Sequence, residues 1–571
     1  VDFMAVCMVA SLNPCHQLNK FLATPVVFVV GSGFKSSIIT LRKLVVSASN
    51  PAALKSASAL KTAPPLKTAI SPTREQNYPE WYQQVVEQAD LAENSPVRGC
   101  MVIKPWGYGL WERIQQKLDE AFKATGHVNA YFPLLIPLRL LQKEADHVAG
   151  FAKECAVVTH HRLAADANGK LQPDGALEEP YVIRPTSETI IGEVYANWVK
   201  SYRDLPILIN QWANVMRWEM RTRMFLRTSE FLWQEGHTVH ATAAEAVTEA
   251  EMIWQLYADF MRDYLAMPAI MGRKTANERF PGAVETYALE SMMQDGKALQ
   301  MGTSHNLGQN FAKAANIQFL DKDGQHKHAH TTSWGVSTRM IGGLIMTHSD
   351  DDGLVLPPRV AASQVVIIPI IRDEAGAEAL LAYCEKLAAT LRQLSFAGEA
   401  VRVQTDKRDL KGSDKFWEWV KRGVPIRLEI GQREMEQDSV TLYRRDLPPK
   451  ERITLSQAEL QQQLPDLLQA MQAGLLARAE ALQSGRSYPI TNRQQFEEIF
   501  GQAGQAEDSR GAKPLGFAIA PWSGDGALED ELKRAYAVTV RCILPEPPAS
   551  GAVCAFTGAP AREMVILAKS Y

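Results

Sequence analysis

The sequence predicts an α+β chain: a mostly antiparallel sheet first, then a compact α/β unit, then a small α+β unit. Three observations predict it. Between residues 181 and 360, strand-like runs alternate with polar stretches, and one long helical pattern interrupts them. That is the pattern of α+β packing. At "LPPRVAASQVVIIPII" the pattern changes to regular strand–helix alternation, which marks an α/β unit of roughly a hundred residues. Finally, 571 residues exceed one ordinary domain, and three or four is the soft prior.

Composition narrows the class. Hydrophobic residues make up 46% and charged residues 22%, as in a soluble globular protein. The net charge of −3 gives no overall field that would announce nucleic acid or a membrane. Any such partner has to be argued locally. Cysteines 7, 15, 100, 155, 384, 542 and 554 have neither zinc-knuckle nor disulfide spacing. They read as reduced and structural.

Residues 1–70 stand apart. They carry one acid, Asp2, with several basic residues and much Ser, Ala and Thr. "FLATPVVFVVGSGF" is too short to span a bilayer, and "KSASALKTAPPLKTAISPT" is low-complexity. The expectation is a disordered extension upstream of the true start, the chain beginning with Val; a transit peptide is the alternative, since its composition is similar. A transit peptide implies an organelle; otherwise the chain is read as cytoplasmic.

Order is expected from Ser71, a cap, and Pro72, a helix start, with Trp81, Val85, Val86 and Ala89 at helical spacing. "GYGLWERIQQKLDEAFKATGH" is a second amphipathic helix ending at Gly126. "VNAYFPLLIPLRLL" reads as a strand entering a helix, with Pro133 and Pro137 arguing against a central strand. A long helix is expected near 242–266. Later come the strands "QVVIIPII", "AVRVQTD", "PIRLEIG" and "SVTLYRRD", and a helix near 455–484.

The stretch "MRWEMRTRMFLRTSEFLWQEGH" carries the chemistry. Arg217, Arg221, Arg223 and Arg227 are interleaved with Trp, Met, Phe and Leu. A cation-rich surface hairpin would not need those apolar partners. Arg grips phosphate oxygens through paired, charge-assisted bonds and keeps its proton. A purine ring takes an aromatic face on one side and a guanidinium on the other. Strand alternation puts Arg217 and Glu219 on one face, and Phe231, Trp233 and Glu235 on one face. A hairpin looping at about 220–228 then presents all of these to one nucleotide. There is no Walker A loop and no Rossmann fingerprint, so this is a nucleotide site built by arginines on an antiparallel sheet.

The stretch resembles motif 2 of class II aminoacyl-tRNA synthetases, and "FLRTSEFLWQEGHT" resembles the prolyl-tRNA synthetases. "NAYFPLLIP" is similar to motif 1, whose Pro133 position lies at the family's dimer interface. "RPTSE", "LQMGTSHNLGQNFA" and "TTSWGVSTR" resemble its proline pocket, "GVSTRMIGGLIMTHSDDDGLVLPPRVA" its motif 3, and "KFWEWVKRGVPIRLEIGQRE" its anticodon-binding domain. The final "LAKSY" is similar to the Tyr ending of the archaeal/eukaryotic-like branch. The resemblance runs from about residue 71 to 571, and the ordered set is more specific than any one motif. It implies a class II catalytic domain at 71–360, an anticodon-binding α/β domain at 361–455, and a linker helix with a C-terminal domain at 456–571.

By resemblance, Arg217 meets the α-phosphate and the amino-acid carboxylate, Glu219 reads the adenine amino group, Phe231 stacks on the ring and Arg227 meets the outer phosphates. Arg339 flanks the adenine or holds the γ-phosphate, and Gln300 and Thr303 contact nucleotide and ribose. Thr186, Glu188, Arg217, Glu235, His237, His305 and Ser333 match pocket positions for L-proline, with Trp233 and Trp334 expected to wall its ring. Lys415, Phe416, Arg427 and Glu429, with Trp419 and Arg433, are placed for anticodon bases, as single-stranded RNA recognition requires; Phe416 and Trp419 as plain core is the competing reading. The segment 402–452 has thirteen Lys and Arg against ten acids, only mildly basic. The implied activity joins L-proline to tRNA(Pro) through a prolyl-adenylate, with ATP as substrate, Mg2+ on its phosphates, and a homodimer. Shape alone discriminates by only ~1–3 kcal/mol per methylene, so alanine and cysteine are expected to leak in. The span between motifs 2 and 3 has no room for the bacterial-type editing insertion.

The chain also departs from that pattern. The branch's four-cysteine zinc site is reduced to Cys554, with Ser523, Leu528 and Thr557 nearby. A tetrahedral site needs four ligands, so no structural zinc is expected. "HKHAH" places His326, His328 and His330 on one strand face, where a solvated face outweighs a metal site. "HSDDDG" lacks the spacing of a calcium loop and reads as a solvated turn. A threonyl or histidyl relative is disfavoured by "TSE", "WQEGH" and "TTSWG". A non-catalytic RNA-binding or regulatory relative is disfavoured by the presence of Arg217, Glu219 and Arg339.

Overall fold

The computed structural model describes residues 68–143, 155–501 and 515–571. The expectations for residues 1–70 therefore fall almost wholly outside the described residues. Among the latter, the largest sheet has eleven strands. From one edge they are Ser487–Pro489, Phe517–Trp522, Glu563–Ala568, Thr539–Ile543, Ile270–Arg273, Glu285–Met292, Ala298–Gly308, His330–Ser337, Glu230–His240, Ile207–Met216 and Val128–Asn129. Every neighbouring pair is antiparallel except the two at the edges.

Helices cover one face of this sheet. Ala243–Asp263 starts at a capping box in which Thr242 and Glu245 bond each other's backbone N–H. It buries Ala246, Ala250, Ile253 and Tyr257 against the strands. Pro105–Ala124 adds Trp111, Ile114, Leu118 and Phe122, and Arg339–His348 adds Met340, Ile341, Leu344 and Ile345. A helix is apolar along one stripe, so three of them sealing one sheet face leave the other for chemistry.

The helix expected at Ser71–Pro72 begins instead at Tyr78. Asn77 caps it by accepting from Glu80 N–H, and Pro79 occupies the first turn. Residues 68–77 form an arm held by the "HSDDDG" segment, which is not the solvated turn expected of it. Asp351 takes paired bonds from Arg74 at 3.1 Å each, and Asp352 accepts from Ala69 N–H. Asp350 takes both ends of the Arg445 guanidinium, at 2.7 and 2.5 Å. Three adjacent acids repel one another unless cations answer them, and here two arginines do.

The α/β unit is a five-stranded sheet in the order Val403–Thr405, Val365–Pro369, Ile426–Ile430, Ser439–Arg444, Ile453–Ser456, parallel in its first three strands. The helix Gln457–Gly485 follows. Its first half supplies Leu460, Leu464, Leu468 and Met471 to this unit's core, and Leu475 packs on Ala266 and Val355 beneath the large sheet. The C-terminal strands then extend the large sheet, because Ile543 bridges to Arg273.

His326, His328 and His330 do not share one strand. His326–His328 pairs with Gln318–Leu320, and His330 opens the next strand, opposite His240, after buried Ala329. Leu528 lies in the C-terminal core. Burial pushes the Cys554 thiol up, but hydrogen bonds led by Thr557 outweigh this and hold it below its ordinary value.

Candidate active site

The open face of the large sheet carries a cavity of about 330 Å3. It is built where Glu230–His240, His330–Ser337 and Ala298–Gly308 run side by side. Strand alternation sorts the side chains. Phe231, Trp233, Glu235 and His237 face the cavity. Gln234 faces the helices, where it accepts from Tyr257 Oη at 2.6 Å. Gly236 faces the same way, and a Cβ there would meet the Trp334 ring at 2.1 Å.

That contact corrects one expectation. Trp334 borders the cavity, but its indole turns away from it. It lies on the helix side, with its ring centroid 5.1 Å from Phe122 and 5.1 Å from His127. Trp334 pairs with Gly236, and the absent Cβ is what admits the indole.

At one end of the cavity, charges are paired. Glu235 Oε2 lies 2.9 Å from His237 Nε2, and its other oxygen accepts from Ser187 Oγ at 2.5 Å and Gln211 Nε2 at 2.8 Å. Burial would raise the Glu235 carboxyl, but these bonds outweigh it and hold it below the ordinary range. Burial would lower His237, and the bond to Glu235 outweighs that and raises it. Burial, then the His237 charge, pushes His305 down to about 3, so it is a neutral ring; it bonds Thr286 Oγ1 at 2.9 Å and packs on Phe280 at 4.7 Å. Thr186 donates to Glu188, and both line the cavity. Ser333 Oγ and Trp233 Nε1 are buried without a hydrogen-bond partner among the described residues.

At the other end, two guanidinium groups are half-buried. Arg217 donates from Nε to the Pro185 carbonyl at 2.9 Å, and its cation lies 5.6 Å from the Phe231 ring and 5.5 Å from the Trp233 ring. Burial lowers its pKa, opposed by Glu188 and then Glu235. Arg339 donates to the carbonyls of Leu226 and Gln300, at 3.2 and 3.3 Å. Burial, then Arg217 and Arg227, pushes it down to about 10. Cations held at a cost in each other's field are stabilised by an arriving anion.

Gln300 and Thr303 line the same cavity. Glu219 and Arg227 do not. They form an ion pair at 2.5 Å in the 217–229 loop, and Arg227 instead lines an adjoining cavity with Arg221, Arg223, Lys297, Arg339 and Tyr571. Opposite charges eight residues apart in a loop neutralise each other.

Sequence reading missed one wall entirely. Lys274, Glu278, Arg279, Phe280 and Thr286 also line the cavity. Their segment, "RKTANERFPG", interleaves charge with Phe and Pro much as 216–237 does, and that was the available signal.

In the α/β unit, two expected base contacts are corrected. Lys415 is buried, its Nζ bonded to the Asp406 carbonyl at 3.1 Å. Arg427 is also buried, its cation 4.9 Å from the Phe416 ring and 5.8 Å from that of Tyr443. Trp419 is core, packed on Trp106 at 5.7 Å and bonded to Asp406 at 2.8 Å. Phe416 and Glu429 are half-buried, and Glu429 accepts from Tyr443 Oη at 2.9 Å.

A helix-backed antiparallel sheet with arginines and an aromatic ring on its open face, joined to an α/β unit, is the arrangement that the resemblance to class II aminoacyl-tRNA synthetases implies, and comparison with known proteins places the chain in that class. Residues 172–348 match the family model described as tRNA synthetase class II core domain (G, H, P, S and T). Residues 364–462 match the anticodon binding domain, and 511–571 match Prolyl-tRNA synthetase, C-terminal. The proline–tRNA ligase of Bdellovibrio bacteriovorus is 58% identical over 88% of this chain and 99% of its own. That of Rhodopirellula baltica is 56% identical over 88% and 98%. The solved prolyl-tRNA synthetase of Cryptosporidium parvum, complexed with halofuginone and AMPPNP, superposes with a TM-score of 0.78 at 36% identity, covering 88% of this chain and 99% of that one. The chain belongs to the proline–tRNA ligases.

Proposed function

We propose that the chain joins L-proline to the 3′ end of tRNA(Pro) at this cavity in two ATP-dependent steps. The carrying observation is the charge layout: carboxylates and a raised histidine at one end, two half-buried arginines at the other. A zwitterion beside a polyphosphate fits that order. The secondary ammonium of proline lies toward Glu188 and Glu235, and its ring lies among Thr186, Trp233, His237, His305 and Ser333. Its carboxylate lies toward Arg217.

The carboxylate is already ionised, so adenylation needs no general base. One of its oxygens attacks the α-phosphorus in line, and pyrophosphate leaves. A ribose hydroxyl at the tRNA end then attacks the carbonyl carbon of the mixed anhydride, forming the ester and releasing AMP. Catalysis is positioning plus charge stabilisation. Arg217 holds the α-phosphate between proline and ATP, Phe231 stacks on adenine, Arg339 flanks the nucleotide, and Gln300 and Thr303 meet ribose and phosphate. Opening of the Glu219–Arg227 pair frees Glu219 for the adenine amino group and Arg227 for the outer phosphates.

Mg2+ enters on the ATP phosphates. The lining there is guanidinium rather than a carboxylate set. The anticodon surface centres on Phe416 and Glu429, with Lys415 and Arg427 supporting it from beneath. Exposed Tyr131, Leu135 and Val128 near Pro133 make a dimer face; a strict monomer in sedimentation at micromolar concentration would sink that. Among the described residues no helix is long and apolar enough to cross a membrane, and the proposed location is the cytoplasm. The C-terminal unit is proposed to stand on its apolar core without zinc.

The test is ATP–pyrophosphate exchange with each of the twenty amino acids, without tRNA. Exchange strongest with proline supports the reading. Exchange strongest with another amino acid moves the chain to a sister specificity. No exchange by folded protein that binds ATP would favour a non-catalytic role.

A further inference from the structure

The wall missed in the sequence, residues 274–286, is not self-supporting. It leaves the strand Ile270–Arg273 and rejoins the sheet at Glu285. Its inner side lines the proposed proline cavity through Glu278, Arg279, Phe280 and Pro281. Its outer side rests on the C-terminal unit, more than two hundred residues on in the chain.

Three contacts hold it to the helix Gly526–Tyr536. Thr275 Oγ1 donates to Glu529 Oε1 at 2.9 Å, and both residues are buried. Asn277 Nδ2 donates to the Gly526 carbonyl at 3.0 Å. Lys533 Nζ pairs with Glu278 Oε1 at 3.0 Å. At the loop's root, Lys274 Nζ bonds Glu290 Oε1 at 2.8 Å and the Arg541 carbonyl at 2.7 Å, and the Arg541 guanidinium closes on Glu290 from the other side. Inside the loop, Phe280 N–H donates to Thr286 Oγ1 at 3.2 Å, and Thr286 in turn bonds His305. A chain of direct contacts therefore runs from the helix Gly526–Tyr536 to a ring that walls the cavity.

We propose that Glu529 and Lys533 are positioning residues for the amino-acid pocket: the C-terminal unit holds the 274–286 wall closed and thereby sets the affinity for proline. This rests on the reading of the cavity as the proline site. Neither residue lines the cavity, so they act through Thr275 and Glu278. Holding a wall against the small ring affects the amino acid selectively, because the nucleotide lies against Arg217, Phe231 and Arg339 on other elements.

The full-length enzyme tests it by ATP–pyrophosphate exchange. Glu529→Ala and Lys533→Ala are expected to raise the proline KM roughly five- to twentyfold, with kcat and the ATP KM within about twofold of the parent. Glu529→Gln keeps an oxygen for the Thr275 hydroxyl and is expected to stay near the parent. Lys533 is more than half exposed, so its variant carries the test even where Glu529→Ala does not fold. An unchanged proline KM in soluble Lys533→Ala overturns the proposal. So does a proline KM that rises only in step with the ATP KM and a falling kcat, which is general loosening. Thr186→Ala is the control: if it too leaves the proline KM unchanged, the cavity is not the proline site and both readings fall together.

Discussion

His237 and Glu235 form a buried ion pair on one strand, 2.9 Å apart and two residues apart, so both side chains leave the same face of the sheet. Each moves the other toward its charged form. Glu235→Gln leaves His237 buried without its counter-charge. The expected cost is about 3–5 kcal/mol of stability, as for other broken buried pairs, with a proline KM raised on the order of tenfold or more. The pH sign follows from the two shifts. Raised His237 contributes stability that is full below its unfolded pKa of about 6.5 and is lost as pH climbs through its folded value. Lowered Glu235 contributes stability present above about 4.3 and lost as pH falls through its folded value. The stability gap between parent and variant is therefore widest in the weakly acidic range, and it should narrow on either side. Urea unfolding across pH checks this.

Arg217 and Arg227 sit in one loop and should behave unlike each other. Arg217→Ala removes a half-buried cation set against two aromatic rings, and exchange should fall by at least ~10²–10³ in kcat. Arg227 has 63% of its side chain exposed and is already paired with Glu219. Arg227→Ala should mainly raise the ATP KM, by roughly three- to tenfold. Equal losses in both variants would refute the division of roles.

Gly236→Ala puts a methyl group into the Trp334 ring, 2.1 Å from its nearest carbon. The indole is locked by Phe122, His127 and Tyr257. Destabilisation of about 3 kcal/mol or more is expected. Denaturation midpoints and expression in soluble form report it, and a variant as stable as the parent would mean the indole has another place to go.

Asp350 is the acid that Arg445 clasps, and burial, then the Arg445 charge, pushes Arg427 down to about 9. Asp350→Ala leaves two guanidinium groups facing one another without that carboxylate. Asp350 keeps 38% of its side chain exposed, so solvent screens the pair and a loss of about 1–3 kcal/mol is expected, together with reduced tRNA charging at nearly parental ATP–pyrophosphate exchange, since the clasp joins the two units rather than lining the cavity. A parallel loss of both activities would argue against that separation.

Glu529 is pushed up to about 7, by burial first, opposed by Thr275, then raised further by Glu278 and Asp530 and relieved by Lys533. An acid whose folded pKa lies above its unfolded value costs stability as pH rises from about 4.3 through 7. Glu529→Gln imitates the protonated form. Its unfolding free energy should match the parent's near pH 4.5 and exceed it at pH 8, by on the order of 1–3 kcal/mol, as urea unfolding at the two pH values reads out. A variant less stable than the parent at pH 8 would contradict the raised value.

How much of this was legible in the sequence depended on distance along the chain. Phe231, Trp233, Glu235 and His237 could be put on one face because strand alternation is a local rule. The same rule sends Trp334 to the face opposite its neighbour Ser333; what could not be read locally is the room for its ring, which a glycine on the neighbouring strand provides. The "HSDDDG" turn looked solvated because its cations are elsewhere: Arg445 lies 95 residues from Asp350. Lys415 and Arg427 looked like surface cations for RNA because a charged residue is usually exposed. Only the packed fold shows Phe416 and Tyr443 lying against Arg427. The 274–286 wall takes its position from residues 526–541, and no periodicity within the loop encodes that.

The strand Ile270–Arg273 meets its outer neighbour only when residues 539–543 arrive. During synthesis the ribosome must add some 270 residues between making that edge and making what covers it, about 13–50 s at ~5–20 residues per second. Throughout that interval the nascent sheet presents a row of unmatched N–H and C=O groups, a template for another chain. Crowded translation is thus the condition under which this enzyme is most exposed to misassembly, and holdase chaperones should be found on ribosome-bound chains longer than about 290 residues and shorter than about 540.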